Sequence, residues 1–137
     1  MNIDLEHIRA HFLKDRFATQ NGIAIDSVTE DRVICSMVLS DTHKNSVGGV
    51  HGGAIFTLAD LAFAVHCNLA LVCGESVGVT LAQSCSISYL KSTRGSRLYA
   101  KTACLHKGRS VSVYRIQVED DLGVLIAEML ANGFTVT

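Results

Sequence analysis

Apolar and polar residues change their spacing along this chain, and the changes divide it into elements. Over residues 3–14, Leu5, Ile8 and Phe12 recur on one side at helical spacing, which predicts a short amphipathic helix. Residues 22–28 and 32–39 alternate instead, with Thr29-Glu30-Asp31 between them as a turn, the pattern of a β-hairpin. A polar, glycine-rich loop over 41–53 then opens into residues 54–73, which are apolar nearly all round and predict one long helix ended by Gly74-Glu75. Four strand-like runs follow, over 77–90, 98–106, 111–119 and 124–135. Their separators, 92–95, 107–109 and 120–123, are good turn chemistry, and the close spacing predicts an antiparallel meander. No linker, repeat or low-complexity segment breaks this order, so residues 1–137 read as a single domain.

A helix that is apolar on nearly every side must be covered on most of them. The simplest cover is a curved antiparallel sheet wrapped around it, which makes the fold class α+β. The outer face of that sheet, or the exposed edge of the helix, then needs a second subunit. A bilayer span over 54–73 fits less well, because the stretch contains Asp60, His66 and Asn68 and strands follow it.

Composition narrows the function classes. The chain is 48% hydrophobic and 18% charged, the balance of a globular protein. Its net charge of −1, with no basic patch interleaved with aromatics, argues against nucleic acid as a partner. The first residues carry early acids and no apolar run, unlike a signal peptide. Five cysteines, at 35, 67, 73, 85 and 104, form no Cys-x-x-Cys pair, and four lie in apolar or alternating stretches. Reduced cysteines in a cytoplasmic core are the expectation. His66, Cys67 and Cys73 match no familiar zinc spacing, so no metal is expected.

The chemistry concentrates in residues 45–60. Gly52 and Gly53 fall at the first turn of the long helix, where the absence of a side chain lets a substrate carbonyl approach a backbone N–H. Such a donor, at the positive end of a helix dipole, is a natural oxyanion stabiliser. Asn45 adds a side-chain amide. The loop is not a phosphate cradle of the P-loop kind, since no Lys-Ser/Thr follows the glycines. His51 reads more readily as a structural group bonding loop backbone than as a general base. Asp60 is a carboxylate on an apolar helix, costly unless something uses it. It lies eight residues beyond Gly52, about 12 Å along the helix axis, so one small reacting centre cannot touch both. If both act on one substrate, Asp60 comes from a neighbouring subunit whose helix runs antiparallel, and the site is shared across a two-fold interface.

The run Asn45…His51-Gly52-Gly53…Leu58-Ala59-Asp60 resembles the signature of hotdog-fold acyl-CoA thioesterases of the PaaI type, with six residues from Asn to His and fifteen from Asn to Asp. The likeness extends to Leu58-Ala59-Asp60-Leu61-Ala62-Phe63-Ala64, to the strand Cys85-Ser86-Ile87-Ser88-Tyr89-Leu90, and to Gly108-Arg109-Ser110 before a strand. The resemblance implies a hotdog domain whose central helix is wrapped by about five to six strands. It implies an enzyme that hydrolyses acyl-CoA thioesters, for this subgroup most familiarly aryl- or phenylacetyl-type ones, to free acid and coenzyme A. In that reading the Gly52 N–H polarises the thioester carbonyl, Asn45 orients the carbonyl or the attacking water, and Asp60 of the partner is nucleophile or general base. Homodimers with shared sites are implied, commonly paired into homotetramers. No cofactor is called for, coenzyme A being part of the substrate.

Two departures from the family pattern bear on the site. A Ser or Thr that positions water is often found on the strand after the helix, and here that position falls near Ala82; Thr80 or Ser84, on one face by the period of two, would substitute. The usual proline after the Tyr-Leu-basic run is replaced by Ser92. His51 and Gly53 are further substrate-binding candidates. For the coenzyme phosphates the candidates are Arg94 and Arg109, from a set that also includes Lys91, Arg97 and Lys107. For the acyl group they are Phe56 and Phe63, with Leu61 beside them. Burial would raise the pKa of Asp60 and a facing helix N-terminus would lower it; the expectation is that the second keeps it ionised at neutral pH. Two other readings share these residues: a hydroxyacyl thioester dehydratase, which usually relies on a His with a carboxylate, and a non-catalytic acyl-CoA-binding module, on which Asp60 would be an unused expense.

Overall fold

The computed structural model describes residues 1–136. Two short helices, α1 (Leu5–Phe12) and α2 (Arg16–Gln20), lead into the hairpin of β1 (Ile23–Val28) and β2 (Val33–Val38). The long helix α3 (Gly52–Cys67) follows, with a further turn, α4 (Leu69–Val72), then β3 (Thr80–Tyr89), β4 (Arg97–Lys107), β5 (Val111–Asp120) and β6 (Leu125–Thr135). The six strands form one antiparallel sheet in the order β1-β2-β4-β5-β6-β3. This is a hotdog fold, the α+β architecture expected from the sequence.

The meander expectation holds for only three of the four C-terminal strands. β4, β5 and β6 are consecutive neighbours, but β3 sits at the far edge beside β6. Turn-forming residues at 92–95 mark where a strand stops and say nothing about which strand lies next to it. What places β3 is the helix. At one end, Asn68 both donates to the Thr80 carbonyl (3.0 Å) and accepts from the Thr80 N–H (2.7 Å). At the other, the Tyr89 hydroxyl donates to the Gly52 carbonyl (2.9 Å). β3 therefore runs antiparallel to α3, pinned to it at both ends.

The core lies between α3 and the concave face of the sheet. Leu58, Ala59, Ala62, Phe63 and Val65 pack against inward residues of the sheet such as Met37, Leu98, Ala100, Ile116, Val118 and Met129, all buried. Alternation on β5 and β6 makes this face continuous, with Tyr114, Ile116 and Val118 opposite Ala131, Met129 and Ala127. Gly133 of β6 is required by packing: a Cβ there would meet the Thr80 methyl at 2.7 Å, Ser112 Oγ at 2.8 Å and the Phe63 ring at 3.3 Å.

The helix is not covered on every side. Phe56, Thr57, Asp60 and Ala64 remain half-exposed along one stripe. On the outer sheet face, Leu81 on β3, Phe134 on β6 and Val111 on β5 form an exposed apolar row across three strands. Two further details escape the sequence pattern. α2 is five residues long, too short to show a period, and is defined by Asp15, whose side chain accepts from the Ala18 N–H. Asn68 divides the 54–73 helix into α3 and α4 because its side chain is committed to β3.

Candidate active site

The loop before α3 is organised by Asn45. Its Oδ1 accepts from the backbone N–H of Val47 and of Gly49, both at 3.0 Å, while its own N–H donates to the Gly49 carbonyl at 2.8 Å. That fixes the amide orientation, because only the oxygen accepts, and leaves Nδ2 as an unspent donor. His43 holds the loop from below: it accepts from the Ser40 N–H through Nδ1, and its Nε2 bonds the Asn21 carbonyl at 2.8 Å.

At the first turn of α3, one residue satisfies three donors. His51 Nδ1 accepts from the Gly53 N–H (2.8 Å), and the His51 carbonyl accepts from Ala54 (2.9 Å) and Ile55 (3.2 Å). The Gly52 N–H alone donates to nothing among the described residues. A helix start normally leaves several unpaired donors; here local chemistry reduces them to one. This N–H, at the positive end of the α3 dipole, is suited to a developing negative oxygen.

Gly52 and Asn45 line the same cleft, of about 400 Å³, together with Val50, Ile55, Tyr89 and Lys91. His51 and Gly53 are exposed beside it, with their polar atoms bonded to each other. Tyr89 was not among the sequence candidates. Its place at the end of an alternating strand fits a core residue equally well, and only the chain reversal that brings β3 back along α3 shows that it meets Gly52.

Asp60 lies outside this cleft, two turns along α3. Its carboxylate has no hydrogen-bond partner among the described residues, and burial followed by the nearby Asp15 carboxylate raise its pKa above the ordinary aspartate value. Among the described residues nothing lowers it. The lowering influence expected from a facing helix N-terminus has no source among the described residues.

Several candidates fall elsewhere. Thr80 and Ser84 do not share a face, because a bulge between Ala82 and Ser84 inverts the alternation. Thr80 is buried with its hydroxyl paired to that of Thr135 (2.8 Å), whereas Ser84 lies opposite Asn132 on the outer face and accepts from its side chain. Phe63 is in the core, edge-on to Tyr114 at 5.5 Å. Phe56 stays half-exposed, one turn before Asp60. Arg94 and Arg109 stand at opposite ends of the eleven-residue β4, roughly 35 Å of strand apart, so they do not meet in one protomer. Arg109 lines a separate groove with Ser76, Val77 and Thr135, while the basic residue lining the main cleft is Lys91.

His66 and two of the cysteines are held in the core. His66 is buried; its Nδ1 bonds the Thr102 hydroxyl (2.7 Å) and its Nε2 the Glu30 carbonyl (3.0 Å), and burial lowers its pKa. Burial pushes the thiols of Cys35 and Cys67 up to about 12. Among the described residues, no group of three His, Cys, Asp or Glu side chains is arranged to hold a metal ion, and no helix is long and apolar enough to cross a membrane.

A helix wrapped by a sheet, with one free N–H at its start and a cleft in front, is the architecture of a hotdog protein, and comparison with known proteins places the chain among the thioesterases of that fold. The sequence profile of the Thioesterase superfamily matches residues 47–127. The acyl-coenzyme A thioesterase PaaI of Escherichia coli is 31% identical over 115 residues, spanning 82% of this chain and 77% of that protein. Human acyl-coenzyme A thioesterase 13 is 26% identical over 108 residues, or 77% of this chain and 74% of that one. Among solved structures, the E. coli PaaI protein aligns over 98% of this chain and 97% of its own, with a TM-score of 0.82 and 26% identity. A Haemophilus influenzae thioesterase aligns with a TM-score of 0.89 over 100% of this chain and 93% of its own at 18% identity, a likeness of fold. The chain belongs to the thioesterase superfamily, as a hotdog-fold thioester hydrolase of the PaaI type.

Proposed function

We propose that this enzyme hydrolyses acyl-CoA thioesters, with aryl- or phenylacetyl-type acyl groups as the first to test, and that its active sites are completed by a second copy of the chain. The observation that carries the reading is the single unspent N–H of Gly52, opening with Asn45 Nδ2 into one cleft. A thioester carbonyl oxygen seated there would receive two donors as negative charge develops on it. Thiolate is a good leaving group, so one carboxylate in addition suffices, either attacking the carbonyl or taking a proton from water.

Asp60 is the proposed carboxylate. Its distance from Gly52 along α3 supports a role in a partner's site, and the half-exposed stripe containing it is the surface a second antiparallel α3 would cover. There the partner's helix N-terminus would face Asp60 and lower the pKa that burial and Asp15 raise. The exposed row of Leu81, Phe134 and Val111 supports a further pairing of dimers into a tetramer through the sheets. A soluble cytoplasmic enzyme with no cofactor beyond the coenzyme A of its substrate is the corresponding setting. Lys91, the basic residue lining the cleft, is the proposed partner of a coenzyme phosphate. Arg94 and Arg109 would contribute only from different protomers.

The test is thiol release from a panel of acyl-CoAs by the wild type beside Asp60→Asn. The reading expects release from the wild type and its near-complete loss in the variant. Tight binding without release would favour an acyl-CoA-binding module, and an enoyl product would favour a dehydratase. Release at full rate by Asp60→Asn would remove the carboxylate from the mechanism.

A further inference from the structure

We propose that Tyr89 is a positioning residue for the oxyanion donor, one half of a two-sided clamp on the Gly52–Gly53 peptide. The inference rests on the oxyanion reading of Gly52 given above. Two adjacent glycines give a helix start the greatest backbone freedom, and a donor that must be aimed gains nothing from freedom. The structure restrains that one peptide at both of its polar atoms. The Tyr89 hydroxyl donates to the Gly52 carbonyl oxygen at 2.9 Å, and the N–H on the other side of the same peptide, that of Gly53, donates to His51 Nδ1 at 2.8 Å. With this plane held, rotation at Gly52 is limited and its own N–H keeps its direction into the cleft.

The ring does separate work. Tyr89 pairs with the buried Ala127 in the sheet, so it points to the helix side, yet it remains 52% exposed. A Cβ on Gly52 would lie 3.1 Å from Tyr89 Cζ and 3.2 Å from its Oη. The ring therefore covers Gly52 Cα on that flank and leaves the cleft as the open approach to its N–H. Gly52 is not among the glycines with positive φ, so a side chain there would meet this ring and would need it to shift by a few tenths of an ångström.

Tyr89→Phe keeps the ring and removes only the hydroxyl. The expected result is a kcat lower by roughly five- to tenfold, the worth of one neutral hydrogen bond, with KM for the best acyl-CoA changed by less than about twofold. Amide hydrogen exchange at Gly53, followed in the same variant, should quicken several-fold while exchange along β6 stays as in the wild type. A variant with wild-type kcat overturns the proposal, and so does a fall in kcat accompanied by faster exchange throughout the sheet, which would mark general loosening. If the wild type released thiol from no acyl-CoA, the thioesterase reading would fail instead; the Gly53 exchange would still report whether the clamp exists.

Discussion

Two unpaired groups on α3 are free for opposite reasons. At its first turn, the Gly52 N–H is unpaired because the other helix-start donors around it have been satisfied: His51 takes three donors, Asn45 and Gly49 close the loop, and Tyr89 holds the adjoining carbonyl. Two turns on, the Asp60 carboxylate is unpaired because nothing among the described residues satisfies it, and burial together with Asp15 works against its charge. The first arrangement is complete in one protomer. The second is a half-built environment. A finished donor and an unfinished acceptor on one helix are what an active site assembled from two copies requires of each of them.

Substituting the unfinished group should have the largest effect on rate and none that is adverse on folding. In the protomer the pKa of Asp60 is raised, so its ionised form costs stability there, a cost absent below the unfolded value, growing as pH rises above it and complete above the folded one. Asp60→Asn should lower kcat by at least about 100-fold, the reach of a general base or more, with a thermal midpoint at pH 7 no lower than that of the wild type. A loss of activity accompanied by a marked loss of stability would mean that Asp60 is structural.

The finished end predicts the reverse coupling of activity and order. Asn45→Asp keeps the acceptor for Val47 and Gly49 but deletes the Nδ2 donor and places negative charge where an oxyanion should sit. A fall in kcat of roughly 100-fold is expected, with little change in midpoint; calorimetry beside steady-state kinetics checks both. His51→Ala removes a helix cap worth about 1 kcal/mol, or roughly 3–5 °C in midpoint for a chain of this size. It should cost activity only a few-fold, because Tyr89 still holds the same peptide.

The smallest effect lies at the other end of α3 and serves as the contrast. His66 is neutral in the fold, and its lowered pKa means that its contribution to stability is complete above about pH 6.5 and is lost as pH falls below that value through the folded one. Midpoints measured between pH 5 and 8 should show this acid-side decline, and His66→Gln should flatten it without moving the acid limb of the kcat profile.

Legibility in the sequence followed the same division. Element types came through where the period was long and regular: the amphipathic start, the hairpin and the apolar helix. Asn45, Gly52 and Asp60 stand out because each residue type is expensive or unusual where it occurs. What did not come through depends on contacts distant along the chain. The edge position of β3 follows from hydrogen bonds made by Asn68 and Tyr89, and Tyr89 looks like any other strand residue until β3 is laid against α3. The expectation that Thr80 and Ser84 share a face failed at a bulge that no proline or glycine announces. Arg94 and Arg109 looked alike as turn cations, and the length of β4 separates them.

Subunit mixing tests the shared site most directly. Asp60→Asn and Asn45→Asp, each crippled alone, are unfolded together, refolded and assayed for thiol release. Random pairing gives heterodimers with one intact site, from Asn45 and Gly52 of one chain and Asp60 of the other, so the account predicts recovery of about a quarter of wild-type activity. A mixture shown by mass to contain the heterodimer, yet no more active than its parents, would contradict it.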